Sequence, residues 1–146
     1  MTTILGISAF YHDSASTLLI NGKIVAAAQE ERFSRVKHDS SFPKKSILSV
    51  IKQAKINFED IDYIVFYDKP FLKFERLLET YLTCIPNGFK SFQMAMPIWL
   101  KDKLFLKHFL IKEFKKMNKN FKANQLFFSE HHLSHAASAY YPSPFN

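Results

Sequence analysis

The dipeptide Asn21-Gly22 restricts this chain more than any other pair of neighbours. It joins two apolar runs, STLLI and KIVAAAQEE, and Asn-Gly readily supplies the two positive φ values that a tight hairpin turn demands. The stretch before them, TTILGISAF, is also short and apolar, and the small polar HDSAS separates it from the hairpin. Runs of this length bounded by turn residues read as strands. The chain is therefore expected to open with three consecutive antiparallel strands.

Beyond the hairpin the period changes. ERFSRVKHDSSF reads as a polar, basic loop. Pro43 then stands at the front of PKKSILSVIKQAKI, where Ile47, Leu48, Ile51 and Ala54 recur at helical spacing. Proline suits a first helical turn because the N–H it lacks is not needed there. DYIVFYD reads as a strand rich in β-branched and aromatic residues. FLKFERLLETYL reads as a helix with Phe71, Phe74, Leu78 and Leu82 as its buried stripe, and IPNGF breaks it. The next third, to about Lys122, reads as mostly helical with Pro97 as an interruption; NQLFFSE is one more strand, and HHLSHAASAYY a helix that starts at its histidines. Three antiparallel strands followed by alternating helices and strands is the order of an α/β fold of the ribonuclease-H-like, actin-like-ATPase half-domain kind, with flanking helices.

Composition removes several classes. Sixteen phenylalanines against three glycines in 146 residues imply a bulky core in a chain of one-domain size. Cys84 is the sole cysteine, so neither an internal disulfide nor a thiolate-cluster metal site is open to it. The opening MTTILGISAF lacks the basic leader, long apolar run and cleavage site of a signal peptide. The most apolar later stretch, MAMPIWLKDKLFLKHFLI, is broken by lysines and is too charged to span a bilayer. A cytoplasmic chain with no membrane partner is the expectation. The net charge is +7, and eight lysines fall between Lys101 and Lys122 against only Asp102 and Glu113. They alternate with Leu104, Leu106, Leu110, Ile111 and Phe114, as on the solvated side of an amphipathic helix. No aromatic-plus-basic motif of a nucleic-acid module accompanies them, so nucleic acid is not the expected partner.

Three of the six histidines lie within five residues of one another: His131, His132 and His135. On a helix, positions 131 and 135 share a face with Cβ atoms about 5–6 Å apart, close enough for both imidazoles to reach one metal ion. His132 points roughly 100° away. The alternative is a histidine-rich first helical turn with a capping role. Two imidazoles are also fewer than the three protein ligands of an ordinary catalytic metal. Near the start, His12 and Asp13 occupy the turn after the first strand, where α/β folds tend to display ligand groups. His12 suits proton transfer near neutral pH, and Asp13 could equally make an Asx-type turn beside an exposed His12. Arg35, Lys37 and His38 concentrate positive charge in the basic loop; such a group can grip phosphate, or be a solvated loop balanced by Glu30, Glu31 and Asp39.

The segments ILGISAFYHDSAS, IVAAAQEERFSRVKHDSSFP, YIVFYDKPFLKFERLLETYL and SEHHLSHAASAYYPSPF together resemble the amino-terminal part of the O-carbamoyltransferases of the nodulation protein U and cephalosporin carbamoyltransferase type. The likeness runs along nearly the whole chain. It implies an actin-like-ATPase fold related to the tRNA threonylcarbamoyladenosine enzymes, in a protein whose carboxy-terminal YrdC-like domain uses ATP and carbamoyl phosphate to make carbamoyladenylate. The amino-terminal domain then passes the carbamoyl group to a hydroxyl of a small-molecule acceptor. The resemblance puts the metal-binding histidine pair on His131 and His135, with iron or a similar divalent ion expected. It puts the first-turn catalytic histidine on His12 and the phosphate-facing basic loop on Arg35, Lys37 and His38. Residues 1–146 are then the amino-terminal part of a longer polypeptide, whose further metal and phosphate ligands are expected after Asn146. Two other readings compete: a tRNA threonylcarbamoyl transferase relative, with the basic helix as an RNA contact, and a non-catalytic interaction module.

Overall fold

The computed structural model describes residues 1–83, 89–99 and 105–144. Strand β1 (Thr3–Ser8) alternates buried and half-buried positions along its length, and β2 (Ala15–Ile20) and β3 (Lys23–Gln29) follow as the expected hairpin. Asn21 and Gly22 turn it at φ values of 51° and 77°, both in the region that an Asn-Gly turn favours. The β2–β3 register shifts between Leu18 and Leu19, a bulge that places one extra residue on β3.

The antiparallel opening is only part of the sheet. Strand β4 (Tyr63–Phe66) lies parallel to β1, and β5 (Leu126–Phe128) parallel to β4, in the order β3-β2-β1-β4-β5. The sheet is mixed because each of these two strands is reached through helical segments, and a helical crossover returns the chain in the same direction.

The basic loop contains a single helical turn, α1 (Glu31–Ser34), closed by Arg35 at φ 62°. Helix α2 (Lys44–Ala54) follows with Pro43 as its cap residue and packs across β2 and β3. It buries Ile47, Val50 and Ile51, whereas Leu48 is 52% exposed. The sequence stripe placed Leu48 inside; the helix is rotated so that Val50 and the small Ser46 take that side. Helix α3 (Pro70–Thr83) forms where expected, but Leu82 is 66% exposed and Leu78 half-buried. The side chains of Phe71 and Phe74, and residues 84–88 and 100–104, lie outside the described residues. Helix α4 (Phe89–Trp99) runs through Pro97 without stopping. Pro97 falls in the last turn, where only one backbone hydrogen bond is forfeited before the helix ends.

Helix α5 (Leu106–Met117) sends Leu106, Leu110 and Phe114 into the core and turns Lys107, Lys112, Lys115 and Lys116 to solvent. The core is continuous from Leu5, Ile7 and Leu18 through Ile64 and Phe66 to these residues. Phe114 is its hub, with the rings of Phe42, Phe58 and Phe121 at 5.4, 6.2 and 5.3 Å. Helix α6 (His131–Tyr140) follows β5. Among the described residues, no helix is long and apolar enough to cross a membrane.

Candidate active site

Sheet order decides where chemistry can gather. Strands β1, β4 and β5 run parallel, so the turn after Ser8, the turn after Phe66 and the start of α6 all leave the same edge. In α/β sheets this carboxyl edge is where ligands bind. The three segments are tied together by the backbone. The Tyr67 N–H donates to the Ile7 carbonyl at 3.2 Å, and the Ser129 N–H to the Phe66 carbonyl at 2.8 Å. The Ser134 hydroxyl lies 2.9 Å from the Tyr67 carbonyl, anchoring the first turn of α6 to the end of β4.

On α6, His131 and His135 turn toward each other. Their ring centroids are 4.6 Å apart and their Nε2 atoms 3.1 Å apart. Two imidazoles on one tetrahedral ion with bonds of 2.0–2.1 Å have nitrogens about 3.3 Å apart, so this pair is already near the bite of a shared cation. The His132 ring stands farther off, its centroid 5.6 Å from that of His131. The Tyr67 ring stands 5.5 Å from His131. Burial pushes its phenol above the usual range, and the negative charge of Asp68 and the neighbouring Tyr11 push the same way.

In the turn after Ser8, Tyr11 lies against His12, with ring centroids 4.8 Å apart. The Asp13 carboxylate bridges two imidazoles: one oxygen is 2.9 Å from His12 Nδ1 and the other 2.9 Å from His38 Nδ1. Asp13 and His38 both sit at positive φ, 47° and 55°, a conformation that Asp and His tolerate better than most residues. The two segments are stitched by main-chain bonds from Phe10 N–H to the Ser40 carbonyl and from Ser14 N–H to the Asp39 carbonyl, at 2.8 and 2.7 Å. The His38 N–H also donates to the Glu31 carboxylate at 3.2 Å. The bonds to His38, then to His12, hold the Asp13 carboxyl below its usual range, and the bond to Asp13 holds the His38 imidazole above its own. Asp13, Glu31 and His38 bring their ligand atoms within 4.8 Å of one another, a spacing that also suits a cation; the direct Asp13–His38 bond occupies the facing atoms.

Of the residues singled out from sequence, the fold joins His131 to His135, and His12 to His38 through Asp13. Arg35 and Lys37 share the loop of His38 and are exposed. Sequence reasoning set Asp13 aside as a turn former and Glu30 and Glu31 as local charge balance. The Glu30 carboxylate is instead buried at the amino terminus of α2, accepting from the Lys45 and Ser46 N–H groups at 3.1 and 2.7 Å. A carboxylate thirteen or more residues ahead of the helix it caps leaves no local signature; only Pro43, marking the helix start, hinted that a cap had to come from elsewhere. A cleft between Phe58, Ile64, Phe121 and Gln125 lies at the opposite end of the sheet, away from these histidines.

Comparison with known proteins adds three findings. The family model described as carbamoyltransferase N-terminus matches residues 3–146. An uncharacterized protein of Synechocystis sp. is 55% identical over 148 residues, covering 100% of this chain and 24% of that protein. Nodulation protein NolNO of Sinorhizobium fredii is 33% identical over 138 residues, covering 94% of this chain and 18% of that protein. The chain thus spans a quarter or less of the length of these two relatives.

Proposed function

The chain belongs to the carbamoyltransferase amino-terminal family, and from that membership we propose that it is part of an ATP-dependent O-carbamoyltransferase. The sheet order and the helix-borne histidine pair support a ribonuclease-H-like, actin-like half-domain as its frame. The parent protein transfers a carbamoyl group from carbamoyl phosphate, by way of carbamoyladenylate, to a hydroxyl of a small molecule. A separate YrdC-like domain carries out the activation. The observation that carries this reading is the gathering of His12, His38, His131 and His135 at one carboxyl edge of the sheet in a chain of this family.

His131 and His135 would hold a divalent ion, with iron the expected one, and such an ion supplies Lewis-acid polarisation of the carbamoyl oxygen. His12 takes the proton of the acceptor hydroxyl as the oxygen bonds to the carbamoyl carbon, and the phosphate of AMP leaves with the bonding pair. The side chains of Arg35, which closes α1, and of Lys37 are exposed and can meet phosphate; His38 keeps its Nε2 for the same purpose while Nδ1 serves Asp13.

The test uses the full-length parent. His131→Ala and His135→Ala are each expected to strip most of the bound metal and to lower transfer of label from carbamoyl phosphate by about 10²-fold or more, within the range that ligand and acid–base losses produce. Unchanged metal stoichiometry in both variants removes the assignment.

A further inference from the structure

The chemistry of a histidine base depends on which ring nitrogen carries the proton, and that is set by what the other nitrogen touches. His12 Nδ1 lies 2.9 Å from one Asp13 oxygen, while the other Asp13 oxygen is held by His38 Nδ1 at the same distance. His38 is itself fixed at both ends, its backbone N–H by Glu31 and its ring by Asp13. The two segments that bear these side chains are 25 residues apart and are joined by the Phe10–Ser40 and Ser14–Asp39 main-chain bonds. A base oriented by a third group is the general arrangement of activated acyl-transfer sites.

We propose that Asp13 is a positioning residue for His12, with His38 as its anchor. The anchored carboxylate accepts the His12 Nδ1 proton, so Nε2 is the basic nitrogen and the ring cannot rotate away. When the ring takes a second proton at Nε2, the carboxylate offsets the new positive charge. His38 is thereby given a part beyond phosphate contact: its Nδ1–H prevents Asp13 from turning to solvent. The groups facing these rings are Asp13 and Tyr11 beside His12, and Asp13 and Glu31 beside His38. This inference rests on the reading of His12 as the proton acceptor.

The test reads His12 itself in the full-length protein. Diethyl pyrocarbonate carbethoxylates neutral imidazole, and peptide mass spectrometry gives the rate at each histidine. A carboxylate on Nδ1 makes Nε2 the stronger nucleophile, so Asp13→Asn and His38→Ala should each slow modification of His12 several-fold at a pH where its ring is neutral. His38→Asn, whose amide N–H stands where Nδ1–H was, should restore the wild-type rate. His12 rates equal to wild type in both Asp13→Asn and His38→Ala overturn the proposal, whatever happens to transfer. His12→Asn reports separately on the base: if transfer from carbamoyl phosphate persists there, the base reading fails while the His12 rates still decide the positioning. With both correct, Asp13→Asn lowers kcat by roughly 10–100-fold, the range lost when the outer carboxylate partner of a metal-ligating imidazole is removed.

Discussion

Glu30 carries the sharpest structural prediction. Its side chain is only 4% exposed, and its two oxygens accept the first free N–H groups of α2, from Lys45 and Ser46. A hydrogen bond to a charged group contributes about 1.5–3 kcal/mol, and a carboxylate at a helix amino terminus gains up to about 2 kcal/mol more from the dipole when partly buried. Glu30→Gln keeps the shape but removes the charge and sets an NH₂ group against one of the two N–H donors. One bond survives and one becomes a donor facing a donor. The expected loss is about 2–4 kcal/mol, since a buried unsatisfied donor adds its own desolvation penalty. For a chain of this size each kcal/mol shifts Tm by about 2–4 °C, so the melt should fall by roughly 5–15 °C. The assay is thermal unfolding followed by far-UV circular dichroism, with Glu75→Gln on the exposed surface of α3 as the control. A Glu30→Gln melt within about 2 °C of wild type would refute the capping argument, because mutational noise at surface sites is of that size.

Other consequences are more direct. Ile47 and Leu48 are neighbours about 100° apart round α2, one fully buried and the other half in solvent; Ile47→Ala should cost about 2–5 kcal/mol and Leu48→Ala within about 0.5 kcal/mol, measured by urea titration. Phe114→Ala removes the ring around which Phe42, Phe58 and Phe121 assemble and should cost about 3–5 kcal/mol. The Asp13–His38 pair gives a pH signature: the His38 contribution is complete below its usual 6.5 and is lost as pH rises through its raised pKa, while the Asp13 contribution is complete above its usual 3.8 and is lost as pH falls through its lowered pKa. The stability gap between wild type and Asp13→Asn is therefore widest between those limits and narrows on both sides; melts across pH check it, and a gap that widens in alkali contradicts the pairing. Gel-shift titration with tRNA at physiological salt should show no specific complex, which separates this protein from an RNA-modifying relative.

The elements were legible because their causes are local. Asn21-Gly22 dictates its own turn, short apolar runs bounded by turn residues dictate strands, and the spacing of His131 and His135 alone places both rings on one face of a helix. Even so, local spacing left the phase of α2 open: Leu48 and Val50 compete for the inward side, and packing on β2 and β3 settles it. Tertiary structure alone decided the rest. The parallel addition of β4 and β5 to β1 brings three turns far apart in sequence to one edge, and main-chain bonds between residues 10–14 and 39–40 lay His38 against Asp13. Likewise, Glu30 reads as surface charge until α2 is docked above it. Backbone conformation is governed by a few adjacent residues, whereas a site built from three turns exists only after the chain has closed the loops between them.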